Sequence, residues 1–122
     1  FELTGYSGGA AVAVLLAAGR ADVTAIRTVA GNIDYAAFTA LHKTTPIDDS
    51  IDPFSVVSKI SSIPQVHFAG SDDDVVPRAL ADHWQAAAAS PCVMVHSVAG
   101  ASHETGWEAA WTALLAEPLP CK

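Results

Sequence analysis

Strand-like and helix-like segments alternate four times along this 122-residue chain. The predicted strands are short and rich in β-branched or apolar side chains, at residues 1–4, 23–30, 65–69 and 92–98. The predicted helices are residues 8–18, 53–62, 77–89 and 104–116, with a short helical piece at 35–42. This alternation predicts an α/β fold, a parallel sheet of about four strands with helices on both faces.

The composition limits the chain to a single domain with an apolar core. Hydrophobic residues make up 51% of the chain and charged residues 16%, so it is not disordered. The net charge of -7 argues against nucleic acid or an anionic membrane as a partner, and no apolar run is long enough to span a membrane. Because the chain opens directly on a strand-like segment and not on Met, we expect an upstream part.

The two cysteines, Cys92 and Cys121, fit no zinc-binding pattern, and we expect neither a metal nor a cofactor. Two alternatives remain open for them. One is a buried thiol and an exposed thiol. The other is a disulfide that ties the C-terminal tail to the domain and implies an exported protein. The tail, residues 117–122, contains two prolines and is expected to be loose.

The segment Gly5-Tyr6-Ser7-Gly8-Gly9 lies between the first predicted strand and the first predicted helix. A Gly-x-Ser-x-Gly sequence in this position predicts a sharp turn that exposes the serine hydroxyl, a nucleophile elbow. Its flanking glycines are needed where a neighbouring chain passes too close for a Cβ. We expect Ser7 to be the nucleophile and the Gly8 N–H to stabilise an oxyanion. The alternative is a glycine-rich turn in which Ser7 is a simple helix N-cap.

A carboxylate that orients a histidine should follow a strand, and three aspartates follow the third predicted strand, in residues 70–77. Chemistry alone does not choose among Asp72, Asp73 and Asp74. The alternative is a solvated acidic turn that caps the helix beginning at Pro77, a role expected for at least two of the three.

A histidine follows the fourth predicted strand, and His103 is therefore the candidate base. The order Ser, Asp, His is the order in which a catalytic triad occurs along α/β chains that carry a nucleophile elbow. The other histidines compete poorly: His67 and His96 lie inside predicted strands, and His83 is expected at the surface. His42, in an irregular region, could reach a pocket.

Together these segments resemble the α/β-hydrolase superfamily over nearly the whole chain. Residues 70–77 resemble its Gly-x-x-Asp-x-x-Val-Pro turn, which places the acid at Asp73, and residues 100–103 are similar to its Gly-x-x-His segment. Residues 28–34 also resemble a group of bacterial hydrolases, some of them exported lipoproteins. The resemblance implies the C-terminal half of an eight-stranded fold. The other half would carry the second oxyanion-hole N–H, so the chain would need that N-terminal half to complete the sheet.

The expected activity is hydrolysis of a carboxylic ester or similar small acyl substrate through Ser7, His103 and Asp73. Tyr6 is expected to line the acyl pocket. Asn32 and Asp34 either face the same cleft or form turns. Two alternatives remain: a peptidase or thioesterase with the same triad, and a non-catalytic binding or structural module. Residues 32–53 form either a lid or a minimal connection.

Overall fold

The computed structural model describes residues 1–44 and 51–121. Its strands are β1 (Glu2–Tyr6), β2 (Ala25–Val29), β3 (Gln65–Gly70) and β4 (Val93–Val98). Its α-helices are α1 (Gly8–Ala18), α2 (Tyr35–His42), α3 (Arg78–Ala88) and α4 (Trp107–Ala116), and a 3-10 helix at Pro53–Val56 lies between α2 and β3.

The four strands form one parallel sheet in the order β1-β2-β3-β4, which confirms the predicted α/β fold. Each strand therefore pairs with its neighbour in sequence, and Ile26 lies opposite Gln65 in the central pair. Every residue of β2 and β3 is buried, whereas β1 and β4 are partly exposed. Burial on both faces is typical of the central strands of a parallel sheet, and here it also covers polar side chains such as Arg27, Gln65 and His67.

Helices cover both faces of the sheet. Right-handed crossovers that all step in one direction place their helices on the same face. Accordingly, Val14 of α1 and Trp84 of α3 pack with Ile26 in one core cluster. On the opposite face, Trp107 and Leu114 of α4 pack in a second core cluster. The chain therefore has two apolar layers, one on each side of the sheet.

Three predicted boundaries differ from the structure. Strand β1 continues to Tyr6, because the whole Glu2–Tyr6 stretch pairs with β2. Helix α4 begins at Trp107 and not at residue 104, because Gly106 has a φ of 92°, which a right-handed helix excludes. The predicted helix at 53–62 is reduced to the 3-10 helix, which Asp52 caps by accepting from the Phe54 N–H. The serines and β-branched residues that follow favour an α-helix weakly.

The C-terminal tail is attached to the domain at several points. Cys92 and Cys121 form a disulfide, so the expectation of two thiols is wrong. The carbonyl of Glu117 accepts a hydrogen bond from the buried Arg27 guanidinium at 3.0 Å, and Leu119 packs against the α4 side of the core. The expected loose tail is therefore wrong for residues 117–121.

The connection from β2 to β3 contains α2 and the 3-10 helix, and its residues 45–50 lie outside the described part of the chain. The question of a lid over a substrate falls partly on those residues. Within residues 1–44 and 51–121, no helix has the length and apolarity needed to cross a membrane. The same residues contain no group of three or more histidine, cysteine or acidic side chains placed to hold a metal ion.

A hydrogen-bonded chain of buried polar side chains lies inside the core. The Trp84 indole N–H donates to the Gln65 side-chain oxygen at 3.1 Å, which fixes that oxygen as an acceptor. His67 Nε2 must then donate to the same oxygen, at 2.8 Å. Its Nδ1 is left to accept from the Thr28 hydroxyl at 2.7 Å. His67 is thus held neutral, and its full burial lowers its pKa from 6.5 to about 3.

We predict that acid destabilises the fold through His67. The unfolded chain binds a proton at His67 below about pH 6.5, whereas the folded chain stays neutral there down to about pH 3. Stability is therefore fully present above pH 6.5 and decreases as the pH falls toward 3, by at most about 1.4 kcal/mol per pH unit from this group. Urea unfolding between pH 7 and pH 4 measures the slope. His67→Gln should flatten it, and an unchanged slope in that variant would contradict the assignment.

Candidate active site

Three polar side chains meet at the carboxyl ends of the strands. Ser7 follows β1, Asp73 follows β3 and His103 follows β4. Ser7 Oγ lies 3.0 Å from His103 Nε2. His103 Nδ1 in turn lies 3.0 Å from Asp73 Oδ2. The structure thus brings the three residues singled out in the sequence into one hydrogen-bonded chain.

Ser7 has a strained backbone, with a φ of 52° and a ψ of -118°. Its N–H donates to the Val29 carbonyl at 2.9 Å, and its carbonyl accepts from the N–H groups of Ala10 and Asn32, both at 3.1 Å. Three backbone hydrogen bonds therefore hold this conformation. The Ser7 side chain makes no capping hydrogen bond to α1, so the interpretation of Ser7 as a simple N-cap is wrong.

The two outer glycines of this turn are not equivalent. A Cβ on Gly5 would lie 2.4 Å from the Gly9 carbonyl oxygen and 2.6 Å from the Ala10 backbone, closer than real atoms approach. A Cβ on Gly9 or Gly8 would meet nothing within 4 Å. The expected steric need for glycine is thus correct at Gly5 and wrong at Gly9. Gly8 lies in the first turn of α1, where backbone N–H groups lack an acceptor within the helix.

Of the three consecutive aspartates, Asp73 is the buried one, and none of its side chain is exposed. Its Oδ1 accepts from the N–H groups of Val75 and Val76 at 2.9 and 2.8 Å, which leaves Oδ2 for His103. Asp72 and Asp74 are exposed, as a solvated turn predicts. The expectation that they cap the next helix is wrong, because α3 has Pro77 as its N-cap residue and no side-chain cap.

His103 reaches Ser7 although β4 and β1 lie at opposite edges of the sheet. Two strands separate them, a distance of about 14 Å. The loop after β4 returns across the end of β3, where a Cβ on Gly70 would lie 2.3 Å from the Ala101 carbonyl oxygen. That oxygen accepts from the Asp72 N–H at 2.9 Å, which ties the loop of the histidine to the loop of the aspartate.

The hydrogen-bonding partners of His103 fix the position of its proton. An ionised carboxylate only accepts, so Nδ1 carries the hydrogen and donates to Asp73. Nε2 of the neutral ring is then an acceptor that faces the Ser7 hydroxyl. The ring is thus in the tautomer that can remove a proton from Ser7.

Tyr6 lines an apolar cavity of about 530 Å³ beside β1 and α4. The cavity is lined by Thr4, Gly5, Tyr6, Val29, Trp107, Glu108 and Trp111. The Tyr6 hydroxyl donates to the His103 backbone carbonyl at 2.7 Å, a contact that the sequence did not indicate. Partial burial and the negative charges of Glu104 and Asp73 raise the pKa of Tyr6, so its hydroxyl remains a donor.

Asn32 and Asp34 lie in the connection between β2 and α2. Asn32 holds the Ser7 carbonyl through its backbone, and its side-chain oxygen is buried without a hydrogen-bond partner among the described residues. The Asp34 side chain is 2% exposed and caps α2 by accepting from the Ala37 N–H. Asp34 also pairs with the ring of His83.

The remaining histidines lie away from Ser7. His67 is buried in the core network, as expected of a structural histidine. His83 is exposed over 58% of its side chain, as predicted, and stacks on Phe54. His96 lies 3.6 Å from Glu117. The ring of His42 contacts the Val75 carbonyl at 2.6 Å, so it reaches the aspartate loop and not the serine.

Comparisons with known proteins identify the fold. No protein-family model matches the sequence, and no curated protein matches it. An esterase from Pyrococcus furiosus is 15% identical, with a TM-score of 0.71 over 93% of this chain and 50% of that chain. The esterase domain of a Rhodothermus marinus protein is 19% identical, with a TM-score of 0.69 over 94% of this chain and 57% of that chain. An alpha-beta serine hydrolase homologue from Coxiella burnetii is 23% identical, with a TM-score of 0.56 over 94% and 44%.

These similarities show that the chain has an α/β-hydrolase fold, as the sequence motifs implied. The chain spans about half the length of most of these solved structures.

Gly5→Ala and Gly9→Ala are expected to have opposite effects on stability. The Gly5 variant forces a Cβ against backbone atoms of α1 and should lower the free energy of unfolding by about 1–3 kcal/mol. The Gly9 variant, in open space within the helix, should be neutral or stabilising by up to about 1 kcal/mol. Urea unfolding measures both. Equal losses in the two variants would contradict the steric argument.

Proposed function

We propose that this chain carries the catalytic residues of a serine hydrolase that cleaves carboxylic esters or similar small acyl substrates. The observation that carries the proposal is the hydrogen-bonded chain from Ser7 Oγ through His103 to the buried Asp73 carboxylate. The order of the three groups assigns a nucleophile, a general base and a carboxylate that orients the base.

In the proposed reaction, Ser7 Oγ attacks the carbonyl carbon of the ester while His103 Nε2 takes the hydroxyl proton. The tetrahedral oxyanion forms near the start of α1, where the Gly8 N–H and the positive end of the helix dipole stabilise it. His103 then gives its proton to the leaving alcohol, and an acyl-enzyme remains on Ser7. Water then attacks the acyl carbon while His103 takes its proton, and His103 returns that proton to Ser7 Oγ as the bond to the acyl group breaks and the acid leaves.

The Asp73 carboxylate supports both half-reactions. It keeps the hydrogen of the neutral ring on Nδ1 and stabilises the imidazolium that forms when Nε2 takes a proton. Two backbone N–H groups hold its other oxygen, so the carboxylate cannot rotate away without losing them. Burial strengthens this pairing because little water competes for the charge.

An ester is the proposed substrate class for two reasons. Two of the matched structures are an esterase and an esterase domain, although a puromycin-hydrolyzing peptidase from Mycobacterium tuberculosis also matches. In addition, an apolar cavity is lined by Tyr6, the residue directly before the proposed nucleophile. A peptidase, a thioesterase or a non-catalytic module would each give a different result in the experiments below.

We further propose that an N-terminal half completes the sheet and the oxyanion hole. Strand β1 is an edge strand whose residues are mostly exposed, and the apolar cavity lies along it. The matched structures contain roughly as much chain again as this one. Gly8 supplies one oxyanion donor, and the second donor would come from the added half.

We predict that a fluorophosphonate probe labels Ser7 covalently, because attack of Ser7 Oγ on phosphorus displaces fluoride just as attack on an ester displaces an alcohol. Ser7→Ala should abolish the label. Ser58→Ala, a matched change at an exposed serine, should leave it in place. Mass spectrometry of the labelled peptide gives the readout. Label that survives Ser7→Ala, or no label on any form of the protein, would contradict the proposal that Ser7 is the nucleophile of a serine hydrolase.

The second experiment compares the chain alone with the chain extended by the sequence encoded upstream of Phe1. Because one oxyanion donor is worth on the order of 100 to 1000-fold in rate, the extended form should turn over p-nitrophenyl acetate faster by about that factor. Equal rates in the two forms would show that the chain needs no second half. Turnover of a peptide but not of the ester would favour the peptidase.

A further inference from the structure

The backbone carbonyl of His103 accepts hydrogen bonds from two aromatic side chains. The Tyr6 hydroxyl donates to it at 2.7 Å. The Trp107 indole N–H is 3.3 Å from the same oxygen and 2.8 Å from the Ser102 carbonyl. The loop of the histidine is therefore attached both to β1, which ends at Tyr6, and to helix α4.

Tyr6 is the residue directly before Ser7, and the strand geometry decides where its side chain points. Alternate residues of a strand face opposite sides of the sheet. Gly5 faces α1, where no side chain fits, so Tyr6 faces the α4 side. Its ring lies 5.6 Å from the His103 ring, centroid to centroid, at an interplanar angle of 34°. One residue thus joins the nucleophile to the base through a path separate from the Ser7–His103 hydrogen bond.

We propose that Tyr6 is a positioning residue, which holds the His103 backbone so that Nε2 stays within hydrogen-bond distance of Ser7 Oγ. This proposal rests on the proposed function for its catalytic meaning. It differs from the role expected from sequence, in which Tyr6 lines the acyl pocket. A pocket residue acts on substrate binding, whereas a residue that holds the base acts on the chemical step.

A positioning group is needed here because the His103 loop extends from the edge strand β4 back across the end of β3, away from its own strand. Its attachments near residue 101 lie over β3, including the hydrogen bond from the Asp72 N–H to the Ala101 carbonyl. Between those attachments and α4, the chain holds itself with a local turn in which the Ser102 N–H donates to the Thr105 carbonyl at 3.0 Å. The Tyr6 hydroxyl is the contact that joins this turn to β1.

The experiment is Tyr6→Phe, which removes the hydroxyl and keeps the ring against His103. Because the lost hydrogen bond carries a net effect of about tenfold, the rate of fluorophosphonate labelling at Ser7 should fall by about that factor. With p-nitrophenyl acetate, kcat should fall while KM stays unchanged. A rise in KM at constant kcat would overturn the proposal in favour of the acyl-pocket role.

The matched control is Tyr35→Phe, the same chemical change at the other tyrosine, whose hydroxyl makes no hydrogen bond to the described residues. It should leave the labelling rate unchanged. Thermal unfolding of both variants, measured beforehand, sets a temperature at which all forms are folded.

A spectroscopic readout keeps the test independent of turnover. In chain carrying ¹⁵N-labelled histidine, the Nδ1 proton of His103 is shielded from water by Asp73 and should give a downfield proton signal that His103→Gln removes. Tyr6→Phe should broaden this signal, and Tyr35→Phe should not. An unchanged signal and labelling rate in Tyr6→Phe would overturn the positioning role while leaving the hydrolase proposal intact. If the unaltered protein is not labelled but Tyr6→Phe still broadens the His103 signal, the hydrolase proposal is overturned and the contact between Tyr6 and His103 stands.

Discussion

Helix α1 turns back so closely against β1 that no side chain fits at Gly5, and the geometry of the site depends on this contact. A Cβ there would lie 2.4 Å from a carbonyl oxygen of the helix. The tight turn forces Ser7 into a positive φ that backbone hydrogen bonds to Val29 and Asn32 maintain. The cost of order 1–3 kcal/mol for such a conformation is offset by these bonds and by the packing of α1. The strain and the exposure of the serine thus have one cause.

A second close approach, at Gly70, brings the histidine to the serine. Parallel strands in sequential order put the ends of β1 and β4 as far apart as the sheet allows. The loop after β4 shortens that distance by crossing directly over the end of β3, where only glycine leaves room for Ala101. The same crossing lays His103 beside Asp73, which follows β3. One steric opening therefore sets both the approach to the nucleophile and the pairing with the carboxylate.

Much of this arrangement could be predicted from the sequence, because it depends on local patterns and on chain order. The predicted bounds of α1 and α2 are correct, and the resemblance of residues 70–77 to the superfamily's turn favours Asp73 over its neighbours, a choice consistent with its burial. Contacts outside the recognised motifs could not be predicted. The hydrogen bond from Tyr6 joins residues 97 positions apart, and the start of α4 depends on the backbone of Gly106. The pairing of Cys92 was also open, because spacing alone does not report distance.

The two edges of the sheet differ in a way that follows from which face each helix covers. Helices α1 and α3 pack on one face of the sheet, whereas α4 packs on the other. Helix α4 lies over the central strands and leaves an apolar cavity along β1, with Trp107 and Trp111 in its wall. At the opposite edge, the disulfide of Cys92 attaches the tail to the start of β4. The incompletely covered edge is thus the one that carries Ser7, and whatever covers β1 will also shape the surroundings of the nucleophile.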